Sequence, residues 1–504
     1  MKCKKACLIV NPRGGQNLAK IPGVLAVLSA ASWSTEVMLK EYGGHTMKLA
    51  TKAAEEGYDL IVAYGGDGTL NQLVNGVMNA KGQNSIVGLI PGGTANVWAG
   101  EFGIPADPVK AALTLVNSDV RKVDVGHVGV EGLTFPDPAQ EGQQQNDKKS
   151  GNKKVKATPK AKHHFVLMAG LGIDAAVMGH VSKPLKYRIG PIAVGAAAAK
   201  ELPKQHPFPV EIHAGALRNS EVLWKGEAIQ VVIGNTRRYA DVVEMTPNAY
   251  IDDGVLDVCV ITAGDPLTTM QQIMSLVLRR KPDNLTAEYF HGARLTISVP
   301  ASIDLQLDGS AVKLKDYLSK SGREALEHAG DAEHVMVTYR FDAMLRALKV
   351  ELPCSYNDAL FEKSTHSDEG AHEQAEKPQP EESKAEASEE AALDDTSRQN
   401  GQKPEEALEH AKALLENGRK VTVIGVSPNP AKKDTYIVAG NTTKPSTGEA
   451  TPVAVIIDAD ATMMRHTGES ISPAIVPKLH EGETILVEGK KSKRGVIRAK
   501  RVVV

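Results

Sequence analysis

Tyr64-Gly65-Gly66-Asp67-Gly68-Thr69-Leu70-Asn71 follows directly on the apolar run Leu60-Ile61-Val62-Ala63. Short, apolar and closed by glycine, the run predicts a buried parallel strand rather than a helix. The glycines let the chain turn sharply and approach a ligand without Cβ clashes. Beyond them Leu70, Leu73, Val74 and Val77 recur at helical spacing, so the loop opens a helix. Free N–H groups and the positive dipole end make such a terminus a phosphate cradle. Asp67 is the odd member, because a carboxylate repels bare phosphate. It suits a divalent cation, the orientation of a donor, or uptake of a proton from an attacking hydroxyl. A turn-forming Asp in a strand-to-helix loop is the plainer alternative.

The same arrangement recurs on either side. Ile86–Ile90 predicts another buried strand, turning at Pro91-Gly92-Gly93-Thr94-Ala95-Asn96, where Thr94 could donate to a phosphoryl oxygen or cap the next helix. The first strand, Ala6–Val10, turns at Asn11-Pro12-Arg13-Gly14-Gly15. Three such turns would face one crevice at the carboxyl edge of an open sheet, where nucleotides bind. Neither a G-x-x-x-x-G-K-[ST] loop nor a G-x-G-x-x-G fingerprint is present, which disfavours a P-loop or a dinucleotide site.

NPRGG, GGDGTLN and PGGTAN, in this order and at this spacing, resemble the catalytic domain of the diacylglycerol kinase and sphingosine kinase superfamily of lipid kinases. GGDGT alone is shared with NAD kinases; PGGTAN followed by Phe102-Gly103-Ile104-Pro105 points to the lipid branch. The resemblance covers roughly residues 1–350. It implies an ATP- and Mg2+-dependent kinase acting on a hydroxyl of a lipid such as diacylglycerol or a sphingoid base, with a homodimer as one assembly. The nucleotide would be held by Asn11 to Gly15, Gly65 to Asn71 and Thr94. Many members carry Thr where this chain has Lys40. Asp174, in the stretch Phe165–Ala176, resembles a substrate-contacting Asp; capping the following helix is its alternative. Pro247–Asp257 resembles the segment that in bacterial relatives binds a second Mg2+, which nominates Asp253 with the carbonyls of Tyr250 and Val255. An Asp-Asp-Gly hairpin turn explains the same residues without a metal. Leu305-Gln306-Leu307-Asp308-Gly309-Ser310 aligns with the family's D-G-E, whose Glu is often assigned as general base. Here that position is Ser310, so the assignment does not transfer, and Asp308 joins Asp67 as a candidate catalytic carboxylate.

The 504 residues carry a formal net charge of -2, which gives no global push toward nucleic acid or anionic membrane. Four scattered cysteines make no disulfide framework. No apolar run approaches the ~20 residues of a membrane span, so a cytoplasmic protein touching the membrane surface peripherally is expected. Strand–helix alternation over 1–125 predicts an open, parallel, doubly wound α/β domain. Longer alternating segments over 126–350 predict a mostly antiparallel β-sandwich holding the lipid, interrupted by a disordered insertion at 131–162. Within it His334–Arg340 reads as a final strand and Phe341–Leu348 as a helix returning to the first domain. A disordered acidic linker over 359–402 precedes a small OB-like β domain over 403–504, beginning with a helix at Pro404–Asn417. Basic residues from Lys490 to Arg501 hint at an anionic partner, with a solvated barrel face as the alternative. Aromatic residues for stacking are nearly absent there, which weakens a nucleic-acid reading.

Overall fold

The computed structural model describes residues 4–12, 18–82, 84–136, 162–172, 207–215, 221–239, 243–262, 287–328, 334–362, 418–443 and 448–504. Contacts divide the chain into two compact units, Met1–Phe361 and Glu362–Val504.

In the first unit β1 (Lys4–Val10), β2 (Trp33–Leu39), β3 (Leu60–Gly65) and β4 (Ile86–Pro91) pair in parallel in the order β4-β3-β1-β2. Every residue of β3 is buried, as expected for a central strand covered on both faces. Cys7, Ile9, Ile61 and Ala63 pack with residues of α2 (His45–Glu55) and α3 (Asp67–Asn79). On the other face Leu60 and Val62 lie beside Gly88 together with Leu115 of α5 (Pro108–Val116), which packs on α1 (Ile21–Ala30). Helices therefore cover both faces. The start of α5 is set by Asp107, whose carboxylate accepts from Val109 N and Lys110 N at 2.9 and 3.1 Å, with Pro108 as the first helical residue. Such a cap is worth about 1 kcal/mol. A short α4 (Val97–Phe102) follows the second Gly loop.

The expected boundary at 125 falls inside one uninterrupted strand, β5 (Ser118–Thr134). Its partner is Met336–Pro353, which pairs antiparallel with β5 from Met336↔Thr134 to Pro353↔Ser118. The same strand pairs with β4 at Val350↔Val87 and with Arg294–Pro300 at its other end. The helix expected at Phe341–Leu348 is therefore a strand. Val337, Tyr339 and Phe341 are all buried, and this alternation belongs to a pleat rather than to a helical face. The two long strands join the parallel layer and the antiparallel strands into one hydrogen-bonded sheet. The antiparallel part holds a second apolar core of Phe165, Leu171, Ile212, Ile233, Val258, Ile297 and Tyr339. Among the described residues no helix is long and apolar enough to cross a membrane.

In the second unit the order Ala450–Ile457, Tyr436–Thr443, Arg419–Pro428, Thr484–Lys491, Val496–Val503 returns to Ala450–Ile457, closing a five-strand barrel. Val423, Val438, Val455, Ile485 and Ile497 fill it. The helix expected at 404–417, most of the insertion at 131–162 and most of the acidic linker lie outside the described residues.

Candidate active site

Strand register assembles the site. Val10 pairs with Tyr64, Tyr64 with Ile90 and Gly65 with Pro91, so the chain leaves β1, β3 and β4 side by side at the carboxyl edge. Asn11 N donates to Tyr64 O and Gly92 N to Gly65 O, both at 3.0 Å, which continues the ladder into the turns. Asn11 Nδ2 reaches Thr69 Oγ1 at 3.2 Å, linking the first loop to the second.

The glycines are required by close approach. A Cβ on Gly93 would lie 2.4 Å from Gly66 Cα, and one on Gly65 would lie 2.4 Å from Thr69 Oγ1. Asn96, which the sequence reading did not single out, holds the loop shut: its Oδ1 accepts from Gly93 N at 2.9 Å and its Nδ2 donates to Gly93 O at 3.1 Å. It does so with φ +51°, a left-handed conformation that Asn tolerates.

Asp67 opens α3, yet its carboxylate is turned to the next loop. Oδ2 accepts from Val97 N at 3.0 Å and Oδ1 from Trp98 N at 3.1 Å, the free N–H groups at the start of α4. Asp67, rather than Thr94, thus caps that helix. The carboxylate lies between the two Gly loops.

Asp308 occupies a different setting from the one expected. It is buried, in a turn with φ +45°, and accepts four hydrogen bonds. Val166 N and Asn71 Nδ2 reach Oδ2 at 3.0 and 2.9 Å; Leu167 N and Met168 N reach Oδ1 at 2.9 and 3.1 Å. A carboxylate offers about four lone-pair sites, and all are used. Burial pushes its carboxyl up against the pull of these donors. Asp308 is a structural tie, not a free base or metal ligand. Asn71 and Leu70 also depart from a nucleotide-contact role. Leu70 is a core residue, and buried Asn71 donates to His164 O as well as to Asp308, both at 2.9 Å.

One turn on, Asn75 completes this clamp. Its Nδ2 donates to His164 O at 2.9 Å, and its Oδ1 accepts from His163 N and His164 N at 2.9 and 3.0 Å. Two Asn at i and i+4 among buried Leu73, Val74 and Val77 were the signal for it. Burial holds the His164 imidazole far below its usual range, at about 3, with His127 and His163 adding repulsion.

Ser310 lies beside the GGDGT turn: its Oγ is 3.4 Å from where a Cβ on Gly68 would be. Lys162, which the sequence reading placed in the insertion, lies within electrostatic reach of Asp308 and Lys40. Desolvation brings its ammonium down to about 8, Asp308 opposing and Lys40 assisting.

At the proposed metal loop, Asp253 Oδ1 accepts from Val255 N at 2.9 Å. Gly254 N and Arg346 N donate to Asp124, and the Arg346 guanidinium meets Asp252 at 3.0 Å. Burial raises both the Asp124 and the Asp257 carboxyl to about 6, with repulsion from Asp253 at each. Oxygen donors in a locally over-negative setting fit a hard cation. Among the described residues no three His, Cys, Asp or Glu side chains converge on a metal, and the expected set contains only one carboxylate. Arg13, Gly14, Gly15 and Asp174 lie outside the described residues.

Residues 5–128 match the diacylglycerol kinase catalytic domain, and 168–315 match the YegS C-terminal NAD kinase beta sandwich-like domain. A YegS-like lipid kinase of Pseudomonas fluorescens is 29% identical over 360 residues, covering 70% of this chain and 97% of its own. A diacylglycerol kinase of Bacillus subtilis is 27% identical over 310 residues, covering 61% and 89%. A crystal structure of a Bacillus anthracis protein assigned to the diacylglycerol kinases superimposes with a TM-score of 0.51 at 19% identity, covering 71% of this chain and 97% of its own. At that identity the likeness speaks for the fold alone. The paired domains and the Gly-loop crevice define a phosphotransferase of the lipid kinase class. Residues 5–128 carry the match to the diacylglycerol kinase catalytic domain, and the relatives that the chain resembles are lipid kinases.

Proposed function

We propose that the chain transfers the γ-phosphoryl group of ATP, with Mg2+, to the hydroxyl of a lipid alcohol at a membrane surface, diacylglycerol or a sphingoid-type lipid. The observation that carries this reading is the joining of the Gly65 and Gly92 loops by Asp67 at the carboxyl edge. Backbone N–H groups there meet phosphate, and one carboxylate stands beside them. The acceptor oxygen attacks the γ-phosphorus, the bond to the β–γ bridging oxygen breaks, and ADP leaves. In this reading Asp67 takes the hydroxyl proton, and its position between the two loops supports that role. A bound Mg2+ would supply charge neutralisation on the phosphates, and positioning is most of what this chemistry requires. A second Mg2+ at Asp253 and the Tyr250 and Val255 carbonyls would organise the loop beside Asp124.

One observation favours a second reading. With Asp308 saturated and Ser310 at the family's Glu position, the site holds fewer catalytic carboxylates than its relatives, as a nucleotide- and lipid-binding regulator would. Labelled ATP with a panel of lipid alcohols in mixed micelles decides between the two. A labelled lipid made by wild type and not by Asp67→Asn supports the kinase. ATP binding without any labelled lipid supports the regulator.

A further inference from the structure

The strands Thr484–Lys491 and Val496–Val503 of the barrel form an antiparallel hairpin. Ile485, Val487, Ile497, Ala499 and Val502 face the core. Lys490, Arg498 and Lys500 are exposed on the strands, with Lys493 and Arg494 exposed at the tip. Register sets Lys490 directly opposite Arg498. Side chains so paired have Cβ atoms about 5 Å apart, and like charges there destabilise a sheet. A bulge at Glu488/Gly489 leaves Lys500 without an opposite residue. The hairpin's own carboxylate, Glu488, is engaged by Arg501 at 3.4 Å, and residues 489–504 contain no Asp or Glu. A pair that weakens the isolated barrel, flanked by further outward cations, is the arrangement an anionic surface would relieve.

We infer that this hairpin docks the protein onto the anionic face of a lipid bilayer. The choice of partner rests on the lipid-acceptor reading, under which the second substrate resides in a membrane. It also rests on composition. Residues 419–504 contain a single Phe, Trp or Tyr, the half-buried Tyr436, so the barrel has no stacking platform for single-stranded nucleic acid. A bilayer asks only for clustered Lys and Arg near its surface.

The test uses the full-length chain without ATP, sedimented with vesicles of phosphatidylcholine alone or of phosphatidylcholine with phosphatidylserine. Binding is expected to the mixed vesicles only and to fall with added salt. Reversing Lys490, Lys493 and Arg498 to Glu should lower vesicle affinity by about tenfold or more, since each cation near an anionic surface contributes roughly a fivefold factor. Reversing the exposed Lys52, Lys225 and Lys320 should leave it unchanged. The milder pair Lys490→Gln with Arg498→Gln keeps the strands and removes the repulsion, so it should bind less while the barrel melts higher. Equal binding by the hairpin variants would overturn the inference. So would an equal loss in the control variant, or a wild-type preference for duplex DNA over the vesicles. Because no turnover is read, hairpin-dependent binding by a chain that transfers no phosphate would refute the kinase reading alone.

Discussion

Asn71 Nδ2 donates to Asp308 Oδ2 at 2.9 Å across 237 positions of sequence, and this contact ties the helix of the GGDGT loop to the antiparallel part of the sheet. Asp308 accepts from three backbone N–H groups besides, so truncating it strands four buried donors. Each stranded donor costs about 1–3 kcal/mol. Asp308→Ala should therefore lose roughly 3–5 kcal/mol in urea unfolding after partial relaxation. Activity should fall with the folded fraction. Full stability with complete silence would instead mark Asp308 as a base.

Asp67 separates the same two possibilities with the opposite outcome. Asp67→Ala removes the acceptor of Val97 N and Trp98 N and should cost about 1 kcal/mol, the value of a helix cap. Asp67→Asn keeps one acceptor oxygen and should unfold close to wild type. Both should lower phosphate transfer by about 10²–10⁴-fold if Asp67 receives the proton. A transfer rate in Asp67→Asn within a few-fold of wild type would remove that role.

Gly93→Ala would place a methyl 2.4 Å from Gly66 Cα, backbone against backbone. The two Gly loops must then separate, and if they hold the nucleotide ATP affinity is expected to drop by about tenfold or more, the scale of a lost charge-assisted hydrogen bond. Calorimetric titration of ATP checks this; unchanged affinity would move the nucleotide elsewhere.

Ser310 lies beside the Gly68 turn, at the position where the lipid-kinase resemblance leads one to expect Glu. Ser310→Glu should raise turnover, by up to about 10²-fold if a missing base limits the rate. A fall in rate with unaltered stability would show that the chain has moved its proton acceptor to Asp67 for good.

His164 gives a pH signature. Its folded pKa of about 3 lies below the ordinary 6.5, so the unfolded chain binds the extra proton first. Stability from this group is complete above pH 6.5 and is lost as pH falls toward 3. Between about pH 6.5 and 5 the loss is roughly 2 kcal/mol, at 1.36 kcal/mol per unit. His164→Phe should remove that slope, read as the difference in unfolding free energy between the two pH values.

The sequence by itself determined the parallel layer, the Gly turns after the third and fourth strands, and the barrel strands. Each is written in local periodicity: buried runs too short for helices, glycines where backbones approach, alternation in the pleat. It also located Asp67. What it could not supply was the partner of each polar group. Asp308 reads as a catalytic carboxylate until residues 166–168 and Asn71 are seen to fill its lone pairs. Phe341–Leu348 reads as a helix until β5 is found beside it. The partners that Asn75 and Asn96 hold are likewise absent from the sequence. A carboxylate's role depends on which donors surround it, and a strand's on which neighbour takes its hydrogen bonds. Those neighbours lie up to hundreds of residues away, so only the folded chain brings them together.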